Sequence, residues 1–190
     1  MRHSKQNVVI VLFCFSISFA NAQYVIKPIE GYTPHIGIVV DMLDDIKDQI
    51  TTQVQELDQA ETDYLFDDKA NSIGGLLMHL AATEAYYQVE TLEGRPFNHE
   101  ESKFWEQTGL GSAGKEYNQG KPISYYLDLW DKVREKTLIG LKEKDDEWLA
   151  STVEDTDGGV NNHWVWYHVL EHAATHMGQI AIVKKMLPAK

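Results

Sequence analysis

Four stretches of apolar residues, each recurring every three or four positions, constrain the fold of this chain more than any other feature. In the first, Ile36, Val39, Val40, Leu43, Ile46, Ile50, Val54 and Leu57 lie on one face of a helix, with Asp41, Asp44, Asp45, Lys47 and Asp48 mostly on the other. Thr33-Pro34 reads as its cap and first residue. The second starts near Asn71-Ser72, runs through Leu76, Leu77, Leu80, Tyr86, Tyr87 and Val89, and stops at Gly94-Arg95-Pro96. The third starts near Pro122 or Ser124, shows Ile123, Tyr126, Leu127, Trp130, Val133, Thr137 and Leu141, and fades over 142–147. After a turn-rich break at 155–159, the fourth runs from about Asn161 or Asn162 to Leu187 and ends at Pro188. No segment alternates as a strand does. Four such helices pack most economically as a four-helix bundle, so an all-α fold is expected. Residues 95–120 form a long crossover between the second and third helices, with a short helix expected around Glu100 to Gln107, anchored by Phe104 and Trp105.

The N-terminus has a different pattern. Arg2 and Lys5 precede an almost wholly apolar run, Val8 to Ala20, closed by Ala20-Asn21-Ala22. This describes a secretory signal peptide, residues 1–22, and the run is short for a membrane span of about 20 residues. Cleavage after Ala22 would leave a single domain, 23–190, periplasmic or secreted, with no stable membrane association. It would take the net charge from −12 to −14 and remove Cys14, the only cysteine. So acidic a chain repels phosphate backbones, so no nucleic-acid partner is expected.

The histidines lie where apolar residues are needed. On the fourth helix, His168 and His176 fall within about 40° of His172, in the stripe formed by Val165, Val169, Val183 and Leu187. Gln179 shares that stripe. On the second helix, His79 shares a face with Ser72, Gly75, Leu76, Thr83, Tyr86 and Glu90. Buried imidazoles need partners on both nitrogens. Either each is hydrogen-bonded in the core, or a divalent ion takes one nitrogen from several. His172 and His176, one turn apart, can share an ion, with His79 as third ligand and water in the open position.

The segment Tyr167 to Ile180 resembles the last-helix signature of the DinB/YfiT-like superfamily of four-helix metalloproteins, and Asn71 to Glu84 resembles its second helix. The resemblance spans about Thr33 to Leu187. It implies a bundle with a long connection between helices two and three, and a divalent metal (zinc, nickel or iron) held by His79, His172 and His176. The chain departs from the pattern at Thr175 and Met177, where the superfamily often carries His and Arg.

His168, Glu171 and Tyr86 are the candidates for acid–base work beside the metal. His168 reads as a fourth ligand, a proton carrier, or a core histidine. Glu171 reads as an acceptor behind a ligand imidazole, or a solvated edge residue. Tyr86 lines a pocket, or is a core tyrosine with its hydroxyl bonded. His35, His99 and His163 are expected on the surface. The first functional expectation is hydrolysis of a small substrate by metal-bound water. Transfer of a low-molecular-weight thiol, as in some members of the superfamily, is the alternative, and a non-catalytic metal-binding protein the third. Ligands of ordinary imidazole pKa would release their ion below about pH 6. The back of the fourth helix, with Leu170, Ala174, Met177 and Ala181, is apolar too, so either other helices wrap it or a homodimer forms.

Overall fold

The computed structural model describes residues 25–111, 118–153 and 159–189. The expected signal peptide and its expected cleavage point lie outside these residues. Four long helices are present: α1 (Pro34–Val54), α3 (Ile73–Tyr87), α5 (Ile123–Lys142) and α7 (Asn162–Lys185). Three short ones join them: α2 (Gln59–Thr62), α4 (His99–Trp105) and α6 (Asp146–Ala150). No strand occurs among the described residues, only an isolated bridge between Thr152 and Asn161. The all-α bundle is as expected. No helix among the described residues is long and apolar enough to cross a membrane.

The helices start where side chains satisfy the first free N–H groups. Ser72 accepts from the Gly75 N–H at 3.1 Å to begin α3, and Asn161 accepts from the Trp164 N–H at 2.8 Å to begin α7. Thr33 stands at the N-cap of α1, but its hydroxyl does not cap the helix. It donates to Asp146 Oδ1 at 2.5 Å, and that oxygen also accepts from the N–H groups of His35 (3.0 Å) and Ile36 (3.2 Å). A carboxylate more than 100 residues away thus caps α1.

Helix α3 packs against α5 and α7, and α1 against α7. One apolar cluster joins Ile50, Val54, Ile73, Leu77, Tyr126, Trp130 and Ile180. A second joins Ile36, Leu43, Leu141, Leu149, Trp166 and Val169. Fully burying one such Leu or Ile side chain stabilises the fold by about 1.5–3 kcal/mol. A polar network links the clusters. Glu84, 1% exposed, accepts from Trp130 Nε1 (2.9 Å), Arg134 Nε (2.8 Å) and Thr137 Oγ1 (2.6 Å). Arg134 also donates to the Leu43 carbonyl at 2.5 Å and to Asp44 Oδ1 at 3.0 Å. Burial alone would raise the Glu84 pKa, but the Arg134 guanidinium and these hydrogen bonds outweigh it and hold the carboxyl below its ordinary value.

The end of α3 widens into a π-helical turn, Gln88–Leu92, and Gly94 leaves it at φ +65°. The turn aims the buried Gln88 amide at the Val133 carbonyl (2.5 Å) and Thr137 Oγ1 (2.6 Å) of α5. The crossover that follows is folded back on the bundle. Asn98 and Glu101 cap α4 reciprocally, and Arg95 grips Glu101 through Nη1 (2.6 Å) and Nη2 (2.9 Å). Past α4, a 3₁₀ turn at Glu106–Thr108 brings the chain back beside α3, and the Gly111 N–H bonds Asn71 Oδ1 at 2.8 Å.

Candidate metal centre

His79 lies midway along α3, and His172 and His176 lie one turn apart on α7. Because α3 and α7 pack together, the three rings meet. His172 Nε2 is 3.1 Å from His79 Nε2 and 3.0 Å from His176 Nε2. One ligand nitrogen from each residue lies within 4.8 Å of the others. His176 is buried, and His79 and His172 are half-buried.

This convergence fits a cation better than a hydrogen-bonded core. Gln179 Oε1 lies 2.8 Å from His176 Nδ1. An amide oxygen only accepts, so the His176 proton sits on Nδ1 and its Nε2 presents a lone pair to His172. His172 Nε2 has at most one proton for two short contacts, so protons alone cannot satisfy the cluster fully. His172 Nδ1 is buried without a protein partner. Three neutral imidazole nitrogens facing one another can hold a divalent ion.

The rings are kept neutral. Burial, then the neighbouring His176, His79 and His168, push the His172 pKa down to about 3. Burial lowers His79 too, with a contribution from His176, while a hydrogen bond with the Thr108 backbone opposes the shift. Burial lowers His176 against the opposing Gln179 bond. Loss of metal to protons therefore begins at a lower pH than ordinary imidazoles would give.

A cleft of about 560 Å³ opens over His79 and His172. Tyr86 and Tyr87 of α3, Phe97 and Trp105 of the crossover, and His168 of α7 line it. His168 stands outside the three-ligand cluster, with its ring centroid 6.0 Å from that of His172. It stacks on Trp164 at 5.1 Å and 5°, and its Nδ1 faces Glu171 Oε2 at 3.4 Å. Glu171 therefore backs His168 rather than a ligand. The Tyr86 hydroxyl donates to Glu90 Oε1 at 3.2 Å. Burial, followed by the Glu90 charge, raises the Tyr86 and Tyr87 pKa values, so both phenols keep their protons at neutral pH. His35, His99 and His163 are exposed, as expected. On the back of α7, Ala174 and Ala181 are exposed while Leu170 and Met177 pack half-buried against the core, so other helices cover that face only in part.

Sequence reasoning placed Gln179 in the stripe without a role. Its spacing of three from His176 was the available signal. Thr108 and Phe97 gave none, because the crossover's path is set by contacts distant in sequence.

No curated protein matches the chain significantly. Among solved structures, a conserved protein from Enterococcus faecalis superposes with a TM-score of 0.62 at 14% identity, covering 78% of this chain and 94% of that one. That likeness confirms the fold. A family model described as mycothiol-S-transferase matches residues 38–188, from within α1 to beyond the end of α7, and takes in all three converging histidines. The chain is a DinB-like bundle and belongs to the mycothiol-S-transferase family.

Proposed function

We propose that the protein is a divalent-metal-dependent thiol transferase. In this reading it joins the sulfur of a low-molecular-weight thiol to an electrophilic small molecule. The observation that carries it is the convergence of three neutral imidazole nitrogens across α3 and α7 in a chain of this family. A divalent ion held by His79, His172 and His176 would supply Lewis acidity, lowering the pKa of a thiol so that it reacts as thiolate. Gln179 fixes the His176 tautomer. The protonated Tyr86 and Tyr87 at the cleft serve as hydrogen-bond donors rather than bases. In this reading His168, at the cleft wall and backed by Glu171, carries a proton. The same ligand set would suit hydrolysis by bound water, but the family description favours sulfur as the nucleophile.

On the leader sequence alone, we also propose that the mature chain acts outside the cytoplasm, with a thiol supplied to that compartment. The test of the transferase reading is thioether formation from mycothiol and 1-chloro-2,4-dinitrobenzene by zinc-loaded protein. The expected result is a rate above the uncatalysed one that is lost on chelation and in His172→Ala. Equal rates with and without protein would overturn the reading.

A further inference from the structure

We propose that the electrophile taken by this cleft is a planar, uncharged aromatic molecule, an inference that rests on the thiol-transfer reading. Rings reach the cleft from three separate elements: Tyr86 and Tyr87 from α3, Phe97 and Trp105 from the crossover, and His168 from α7. Tyr86, Tyr87, Phe97 and His168 are arranged edge to face. The Tyr86 and Phe97 centroids are 5.6 Å apart at 82°, Tyr86 and Tyr87 5.2 Å at 75°, and Tyr87 and His168 5.8 Å at 88°. These rings give the cleft an apolar, π-rich lining, and a flat π-system is the guest that offset or edge-to-face contact with it favours. Tyr86 remains 42% exposed although Phe97 and Tyr87 stand beside it, so its ring is not consumed by core packing.

Charge narrows the class further. Among the described lining residues, Glu106 is the one charged side chain, and no Lys or Arg is present. The chain as a whole carries −12. Away from the metal, whose open position the thiol takes in this reading, an anionic electrophile would meet no cationic side chain and a repulsive field. The space, about 560 Å³, accommodates one substituted ring beside a thiol. The step is aromatic substitution. With an activated aryl halide, the thiol sulfur attacks the ring carbon bearing the halide, the carbon–sulfur bond forms, the carbon–halogen bond breaks, the halide departs with the bonding pair, and the thiol proton passes through His168 to water.

The test is binding of three unreactive probes, measured by calorimetry on zinc-loaded protein with mycothiol occupying the metal's open position and on chelated protein. 4-Nitrobenzamide is flat and neutral, 4-nitrobenzoate is flat and anionic, and cyclohexanecarboxamide is neutral but not flat. The expected result in both preparations is that 4-nitrobenzamide binds about tenfold more tightly than either other probe. Trp105→Leu and Phe97→Leu should each weaken it about 2- to 10-fold, the worth of one aromatic contact. If Trp105→Leu fails to fold, Phe97→Leu carries the test. Equal affinity for the three probes, no detectable binding, or no change in a folded variant would overturn the proposal. The thiol-transfer reading fails separately: absence of thioether formation alongside this binding order sinks the transfer reading and leaves the cleft's selectivity standing.

Discussion

Gln179 Oε1 accepts a hydrogen bond from His176 Nδ1 at 2.8 Å, three residues along the same helix. The bond fixes the His176 proton on the nitrogen facing away from His172 and leaves Nε2 free to ligate. Gln179 is exposed, so its replacement leaves the core intact. Gln179→Leu should weaken metal binding by about 10- to 100-fold, measured by competition with a chromophoric chelator. Gln179→Glu keeps an acceptor in place and should retain most of the affinity. Unchanged affinity in Gln179→Leu would remove Gln179 from the centre.

The histidine cluster should make the metal-free protein sensitive to acid. Unfolded histidines take up protons near pH 6.5. In the folded state all three resist protonation, His172 down to about 3. Above pH 6.5 both states are neutral at these positions, and they add no pH dependence. Below it the unfolded chain binds more protons, so stability falls from pH 6.5 towards the folded values. Thermal melts of chelated protein across that window should show the loss, and it should be shallower in His172→Asn. A metal-loaded sample should melt higher at pH 7.5, with the gap narrowing as protons compete.

The Glu84–Arg134 pair is buried on both sides, and removing Glu84 leaves the buried Arg134 with the half-exposed Asp44 as its remaining carboxylate. Glu84→Leu should cost about 3–5 kcal/mol in denaturant unfolding. Adding Arg134→Met should recover part of that loss, because the buried charge is gone. A Glu84→Leu protein as stable as the parent would mean that Arg134 finds other partners.

Two helical glycines should respond oppositely to alanine. A Cβ on Gly74 would lie 2.7 Å from Tyr126 Cζ, and that ring is fully buried. Gly74→Ala should therefore destabilise by about 1–3 kcal/mol despite its better helix propensity. At Gly178 a Cβ meets nothing within 4 Å, so Gly178→Ala should stabilise by about 0.5–1 kcal/mol.

The ligands were legible in the sequence because a helix repeats every 3.6 residues. Periodicity alone puts His172 and His176 on one face and turns His79 towards a partner helix. The resemblance at Asn71–Glu84 and Tyr167–Ile180 joined the two faces. Features made by distant residues were not legible in this way. Asp146 caps α1 across 110 residues, and α6 itself, only Asp146–Ala150, is too short for a period to show. Glu84 carries no local sign of its role, although it anchors the core through Arg134 of α5. The π-helical turn at Gln88 depends on α5 accepting its amide, which no local pattern records.

X-ray absorption at the zinc edge of the loaded protein, with and without mycothiol, tests the central claim most directly. The account predicts imidazole nitrogens from three histidines in the free protein, and one added sulfur at about 2.3 Å when the thiol is present. His79→Ala should remove one imidazole. A spectrum without sulfur at saturating mycothiol, or a free-protein spectrum without a three-imidazole signature, would contradict it.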